Sequence, residues 1–478
     1  MKKNLAFLVA LAMGLSLFFS ACQGGTSDNG ANTGTGAGST AADTNAPAET
    51  ASGEPVTITM VGEGELVTQL MGEKFTEKFP NIKVEYKHPD GTGWVSNEAL
   101  VKWAAAGVLP DIVTLENPDI VYQNNLVIDL KPYFDKDPES ANYYQSVIEY
   151  SLVNDKMLMI PYQLNFYGVM VNKSLISSNN IPVPDYDWTI DEYVNIVKKL
   201  TKKGSLLGSY NAYMWQHLPA QYDDNLEIAA FNRSEKKYVL GDAWQKTMDV
   251  LADLVKNNYT AQERLDRTDN PDGKMDNWHA LSLEIIGDDD PWFSWQKGKV
   301  ATWMEASYWS KWDENNDTYS GFDWDIYPVP VPTKGDVSRP CIITDNYAVT
   351  RACKNPDAAY EVLKYFTYSE DGFNARCDIW KNYDAAAMKT KYPKMAEVEG
   401  TIPDTLSFGL SPIDKDEVRA KWYELYNPKP GLKHIIDTLS TSNPYVDGFK
   451  VIPGWNEVAI GIIEDAVKKQ IFTGEKSA

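Results

Sequence analysis

Cysteine and histidine are scarce in this chain of 478 residues, which has four of each. Beyond Cys22 the thiols are Cys341, Cys353 and Cys377, an odd number with no CxxC spacing. They fit neither a zinc site nor a dense disulfide framework, and leave room for one bridge and one free thiol. His88, His217, His279 and His434 are too scattered for HExxH or any other local metal spacing. No metal and no cofactor is expected. A G-x-S-x-G elbow and a Walker phosphate loop are both missing. Positive charge is short as well: 45 Lys and Arg against 67 Asp and Glu give a formal charge of -22. That balance argues against nucleic acid as a partner and against a basic membrane-binding face.

Two motifs are incomplete. Val61, Gly62, Glu63 and Gly64 follow a strand-like run and precede a helical one, as in a dinucleotide fingerprint. The third glycine position is Val67, however, and Glu63 and Glu65 would repel a pyrophosphate. Asp266 to Asp276 is acidic, yet aligning Gly273 to an EF-hand turn puts Thr268 first and His279 last, so the key carboxylates are missing. Acids are abundant, but no local pattern singles out a pair for sugar hydrolysis. No catalytic residue is expected.

The ends are informative. Lys2 and Lys3 precede the apolar run Leu5–Phe19, which is too short to span a bilayer comfortably and fits the core of an export signal over 1–21. Ser20 and Ala21 before Cys22 resemble a bacterial lipobox, with Phe19 where Leu is usual. The resemblance implies lipidation, with palmitate among the acyl groups, at Cys22. From Gln23 to Glu54 the chain is Gly, Ser, Thr, Asn, Ala and acids, with no Lys or Arg. Such a segment cannot form a core, so 22–54 is expected to be a flexible tether reaching roughly 30 Å.

The remainder, Pro55 to Ala478, exceeds what one core usually serves, so two domains are expected. Its first part alternates. Val56 to Val61 is β-rich; Leu66, Leu70, Phe75 and Phe79 fall near helical spacing before Pro80; Ile82, Val84 and Tyr86 alternate as a strand. A helix around Trp94 to Ala106 and a strand at Asp111 to Leu115 come next. This order predicts an α/β fold with a mainly parallel sheet, whose ligands bind beyond the carboxyl ends of the strands. Gly62 to Glu65 and Glu116 to Asp119 occupy that position. Thr189 and Glu192 form a capping box ahead of Ile190, Tyr193, Val194, Val197 and Leu200. Asn355 and Pro356 open another helix, and a last one starts near Trp455 with Val458, Ile462, Ala466 and Val467 inward. Fifteen Trp and 27 Tyr are a heavy aromatic load. Packing accounts for most of them; carbohydrate sites also use aromatic faces for sugar C–H surfaces.

Five segments carry a resemblance. Trp103 to Leu115 (WAAAGVLPDIVTL) is similar to a G-x-x-P-D-I-V stretch, and Ile160 to Lys173 (IPYQLNFYGVMVNK) to an interdomain crossover ending in Y-N-K. Asp187 to Glu192 (DWTIDE) resembles a T-W-D-E helix start with Trp and Thr reversed. Phe293 to Trp309 resembles F-x-x-G-K-x-A-M with its following Trp, although Ser307 stands where Gly is common. Asn355 to Gly372 resembles the late helix N-P-x-A-A-x-x-F-L-K-Y-x-x-S-x-E-G. Together they resemble the family 1 extracellular solute-binding proteins of ABC importers, a maltose-binding-protein-like group.

The resemblance implies a two-lobed periplasmic-binding-protein-like fold of type II with a hinge between lobes. One lobe is expected over 55–163 plus 327–372, the other over 168–326 plus 373–478. The implied function is capture of a small molecule, expected to be a sugar, by hinge closure and delivery to an ABC transporter permease. A monomer held to the outer face of the cell membrane by its lipid is expected, or a periplasmic one where an outer membrane exists. The other readings are a secreted carbohydrate-active enzyme, lyase or hydrolase, and a lipid-anchored adhesion or receptor module.

For the site, the resemblance places a stacking ring at Trp309, just past the strand Val300 to Met304. Trp455 takes a position that faces the cleft in relatives. Trp303 and Trp312 are the competing rings. Glu63, Glu116, Asn117, Glu305 and Asp345 lie after predicted strands or in adjoining loops. Gln163 and Asn165 sit at the crossover, within reach of hydroxyls from either lobe.

Overall fold

The computed structural model describes residues 54–91, 95–262, 265, 276–288, 293–314, 319–452 and 454–472. The expected signal, Cys22, nearly all of the tether and the loop 266–275 lie outside these residues. The main sheet has nine strands: β1 (Val56–Val61), β2 (Ile82–Tyr86), β3 (Ile112–Leu115), β4 (Ile160–Asn172), β5 (Leu207–Ser209), β6 (Val300–Ala306), β7 (Trp324–Tyr327), β8 (Cys341–Val349) and β9 (Tyr445–Val446). Their order is β2-β1-β3-β8-β4-β6-β5, with β7 on β4 and β9 on β8.

Both ends of the sheet are parallel: β2-β1-β3 on one side and β6-β5 on the other. Every antiparallel pairing involves β4 or β8. β4 explains this. Its first half, Ile160–Phe166, pairs with β8, and its second half, Tyr167–Asn172, pairs with β6 and β7. One long strand therefore serves both sheet halves, and β8 carries a register shift between Asp345 and Asn346 beside the crossing.

The helices that flank the sheet and position the site are α1 (Glu65–Lys78), α2 (Asn97–Ala105), α3 (Ile190–Leu200), α4 (Asp242–Lys256), α5 (Pro356–Thr367), α6 (Glu370–Lys381), α7 (Asp416–Tyr426) and α8 (Pro430–Asp437). α3 starts where its capping box predicts. Thr189 Oγ1 accepts the Glu192 N–H at 3.1 Å, and the Glu192 carboxylate accepts the Thr189 N–H at 2.7 Å. Its face Ile190, Tyr193, Ile196, Val197 and Leu200 is buried. Asn355 stands at the start of α5 but makes no side-chain cap; Pro356 supplies the first-turn geometry.

Three expectations are altered by the fold. The stretch 373–402, expected to group with 168–326, packs beside the N-terminal strands and helices. α6 packs on α1, and Ile379, Tyr383, Met388, Tyr392, Met395 and Ile402 cover Leu66 and Leu70. The C-terminal helix is π-type over Asn456–Glu464 and Val467–Ile471. Its wider turn buries Trp455, Ala459, Ile463 and Val467 at intervals of four, and leaves Ile462 63% exposed. Cys341, Cys353 and Cys377 are all free thiols. Among the described residues no helix is long and apolar enough to cross a membrane.

Candidate functional site at the strand crossing

The turn after β1 is shaped by glycine. Gly64 has φ +112°, and a Cβ at Gly62 would collide with the Tyr347 ring. That close approach lets the Tyr347 hydroxyl accept the Glu63 N–H at 3.3 Å. Glu63 Oε1 pairs with Arg376 at 2.5 Å, both side chains nearly buried. Arg376 also donates to the Phe366 carbonyl at 3.2 Å and lies over the rings of Phe408 and Tyr162. Burial opposes its charge, but Glu63 more than offsets this and raises its pKa.

β4 supplies the next layer. Register sets Asp345 opposite Gln163, Tyr167 opposite Ala306 and Gly168 opposite Glu305. Gln163 Nε2 donates to Asp345 Oδ2 at 2.9 Å, and its Oε1 accepts the Gly409 N–H at 2.9 Å. Lys450 Nζ lies 3.2 Å from the other Asp345 oxygen. Tyr162 stacks on Tyr347 with centroids 4.4 Å apart. Its hydroxyl lies within the fields of both Asp345 and Glu63, so the two carboxylates share one neighbourhood.

Beyond β6, Glu305 accepts the Ala306 N–H at 2.8 Å. Burial pushes its pKa up to about 7, against the pull of that hydrogen bond. Tyr308 is 51% exposed. Its hydroxyl end is enclosed: burial, then Glu305, Asp345 and Asp447, raise its pKa, and a hydrogen bond with Trp309 opposes them. Tyr167 lies near Asp447, whose pKa burial raises despite Lys450. Asp447 also caps the turn Gly448–Val451 by accepting the Phe449 N–H at 3.1 Å. Behind Tyr167, His217 tilts against its ring at 4.8 Å and holds its Nδ1 3.1 Å from the Tyr445 hydroxyl. Burial lowers the His217 pKa to about 3, so the ring is neutral.

Of the residues expected from sequence, the structure thus joins Gln163 to Asp345, places Glu305 at the end of β6 three residues before Tyr308, and pairs Glu63 with Arg376. Trp309 is part-buried at the start of the turn Trp309–Glu314, its ring 6.0 Å from Tyr308. Trp303 packs in the core against Tyr210 and Trp295, and the Trp312 side chain lies outside the described residues. Trp455 is no open platform: it is 2% exposed, with its ring filling the space where Gly448 lacks a Cβ. Asn165 is buried and accepts from the Ser307 hydroxyl at 3.3 Å, bracing β4 to the loop after β6. Asn117 is also internal, accepting from Asn97 Nδ2 at 2.9 Å and the Asp119 N–H at 3.1 Å. Glu116 is half-buried beside it.

Sequence reading missed Tyr162, Tyr167, Tyr308, Arg376, Asp447 and Lys450. For Tyr308 a signal existed, since it adjoins Trp309. Arg376 lies 313 positions from Glu63 and carries no local mark.

A mixed α/β sheet in two halves, joined by crossing strands with polar and aromatic side chains at the crossing, defines a two-lobed binding protein. Residues 59–372 match the family described as bacterial extracellular solute-binding protein, and the chain belongs to that family. Solved structures share the fold. An ABC substrate-binding protein from Listeria monocytogenes in complex with cycloalternan aligns with TM-score 0.62 at 14% identity, over 89% of this chain and 95% of that one. A sugar transporter from Rhizobium etli, in an open conformation, gives 0.59 at 14% over 88% and 95%. The apo form of RafE from Streptococcus pneumoniae gives 0.53 at 16% over 88% and 95%.

Proposed function

We propose that this protein captures a carbohydrate outside the cell and delivers it to an ABC transporter permease, anchored at the membrane through a lipid on Cys22. Membership of the solute-binding family supports capture of a small molecule. The observation that carries the carbohydrate reading is Tyr308, half exposed, with the charges of Glu305, Asp345 and Asp447 acting on its hydroxyl. A flat apolar surface beside hydrogen-bond acceptors is what a sugar ring needs. The bound sugars and sugar transport named for the structural relatives point the same way.

In this reading one lobe is built on β1, β2, β3 and β8, over 55–166 and 341–402. The other is built on β5, β6 and β7, over 167–340, and the C-terminal stretch braces both. Polar contacts then tie the first lobe to the C-terminal stretch and to the second lobe. Asp119, after β3, accepts the Gly454 N–H through both oxygens at 2.9 Å. Tyr150 donates to Glu227 at 3.1 Å under the Arg233 guanidinium. Such contacts are suited to a closed form that opens by bending at Phe166–Tyr167 and at the register shift of β8.

The test is a thermal-shift screen across mono- and oligosaccharides, followed by calorimetric titration of the best ligand. A saccharide that binds only the folded protein raises its melting temperature. Tyr308→Ala should then cost about 1–3 kcal/mol of binding, the range for stacking on flat ligands, with melting unchanged. Trp309→Ala, the ring expected from sequence, should cost less, since part of it packs inward. No shift with any saccharide would sink the reading, and conversion of the saccharide would point to an enzyme instead.

A further inference from the structure

One tie between the lobes assigned above is built entirely from the chain's own groups. Tyr150 ends the short helix Gln145–Tyr150 on the first lobe. Just before that helix, Tyr143 fastens it to β4 by donating to the Pro161 carbonyl at 3.0 Å. Opposite, on the second lobe, Arg233 donates to both carboxylate oxygens of Glu227, at 3.0 and 3.1 Å. The Tyr150 hydroxyl donates to Glu227 Oε1 at 3.1 Å and lies 3.4 Å from the Pro444 carbonyl oxygen. Its ring centroid is 4.1 Å from the Arg233 guanidinium.

The receiving side is fixed in advance. Ala229 and Ala230, both fully buried, have φ +52° and +61°, a left-handed backbone that alanine seldom adopts. Such strain persists only where the surroundings hold the chain in place. The Glu227 N–H closes this turn on the Phe231 carbonyl at 2.8 Å. Arg339, 5% exposed, donates to the carbonyls of Ala220 and Leu226 at 3.0 and 2.8 Å, and to that of Asn443 at 3.0 Å. One buried guanidinium thus holds the residue before Glu227 and the residue before Pro444. The two acceptors that meet the Tyr150 hydroxyl are set relative to each other before Tyr150 arrives.

We infer that Tyr150 is a latch: seated in the socket of Glu227, Arg233 and Pro444, it holds the two lobes closed with free energy supplied by the chain itself. This rests on the hinged two-lobe reading above and is independent of which solute binds. When the hinge bends, Glu227 keeps Arg233 and exchanges only Tyr150 for water. The carboxylate is never stranded, so the contact can break and re-form. A hydrogen bond to a salt-bridged carboxylate, together with a ring against a guanidinium, shifts a two-state equilibrium by about tenfold or more. A solute that contacts both lobes then has that much less of the closure to supply.

The experiment is hydrogen exchange on the full chain in detergent, with Tyr150→Phe compared to the unaltered protein. The substitution keeps the ring and removes the hydroxyl. The Gly454 amide, held by both Asp119 oxygens at 2.9 Å, reports opening from a separate part of the chain. Exchange at Gly454 and at Phe166–Tyr167 should quicken about tenfold in Tyr150→Phe, while the β1 core, Ile58–Val61, is unchanged. Asp119→Ala, which cuts the other tie, should quicken Phe166–Tyr167 as well. If it does, and Tyr150→Phe quickens only 145–150 and 227–233, Tyr150 is a local packing residue and the latch is overturned with the hinge intact. No change at Phe166–Tyr167 in either variant overturns the hinge reading and the latch with it. Equal acceleration everywhere in Tyr150→Phe, Ile58–Val61 included, would reflect lost global stability and would also overturn the latch.

Discussion

The Gln163 amide joins two distant segments, donating a hydrogen bond to Asp345 Oδ2 at 2.9 Å and accepting the Gly409 N–H at 2.9 Å. Gln163 lies on β4 three residues before the strand turns to its second set of partners. Gln163→Ala removes both bonds and frees Asp345 from one of its two partners. Loss of a neutral and a charge-assisted hydrogen bond should destabilise the fold by about 1–3 kcal/mol. Urea unfolding measures this; a midpoint equal to that of the unaltered protein would show that the bridge carries no net weight.

The Glu63–Arg376 pair makes a sharper demand. Arg376→Met leaves the Glu63 carboxylate enclosed, with the Tyr347 hydroxyl as its remaining side-chain partner. Breaking a buried pair from one side typically costs about 3–5 kcal/mol. Adding Glu63→Gln should recover part of that loss, because the stranded charge disappears. A double variant no more stable than Arg376→Met would mean that the guanidinium matters through its contacts with Phe408 and Phe366 and not through charge.

Glu305 should make stability fall as pH rises. Its carboxyl pKa is raised by burial from 4.5 to about 7. The unfolded chain therefore ionises first, and the folded state is penalised increasingly between pH 4.5 and 7, fully so above 7. Glu305→Gln removes the penalty. It should stabilise the protein by about 1–3 kcal/mol at pH 8 and leave it unchanged at pH 4.5. Equal effects at both pH values would contradict the burial of this carboxyl.

His217 works in the opposite direction. Its pKa is lowered by burial from 6.5 to about 3, so the unfolded state takes up a proton that the folded state refuses. The stability due to the neutral ring is complete above pH 6.5 and is lost as pH falls toward 3. His217→Gln keeps a hydrogen-bonding partner for the Tyr445 hydroxyl and removes the titration. The variant should show a shallower decline in unfolding free energy between pH 6.5 and 4, by up to about 1.4 kcal/mol per pH unit. Parallel pH profiles for the two proteins would rule His217 out as the source of acid sensitivity.

Cys22→Ala tests the anchor, motivated by Ser20 and Ala21 before the cysteine and by the polar tether after it. The variant should leave the membrane fraction and appear in the soluble extracellular or periplasmic fraction. Its melting curve should match that of the domain with Cys22 intact. A variant that still requires detergent for extraction would exclude lipidation at this cysteine.

Local signals determined a good deal by themselves. The capping box of Thr189 and Glu192 depends on atoms three residues apart, and the alternation through β1, α1, β2, α2 and β3 depends on spacing within each segment. Such interactions form from neighbouring residues, so they can be read in order along the chain. The family motifs then carried the two-lobed architecture and the crossing at Gln163 and Asn165. What the sequence could not settle was which side chains would be enclosed. Trp455 and Trp309 look alike as rings near element starts. Only the π-type winding after Trp455 and the missing Cβ of Gly448 bury the first, while Tyr308 takes the exposed position beside the second. Arg376 reaches Glu63, Lys450 reaches Asp345, and residues 379–402 cover α1, across separations of a hundred residues or more. These contacts depend on how complete lobes close around the crossing strand, where burial and long-range charge pairing outweigh any preference written within a few residues.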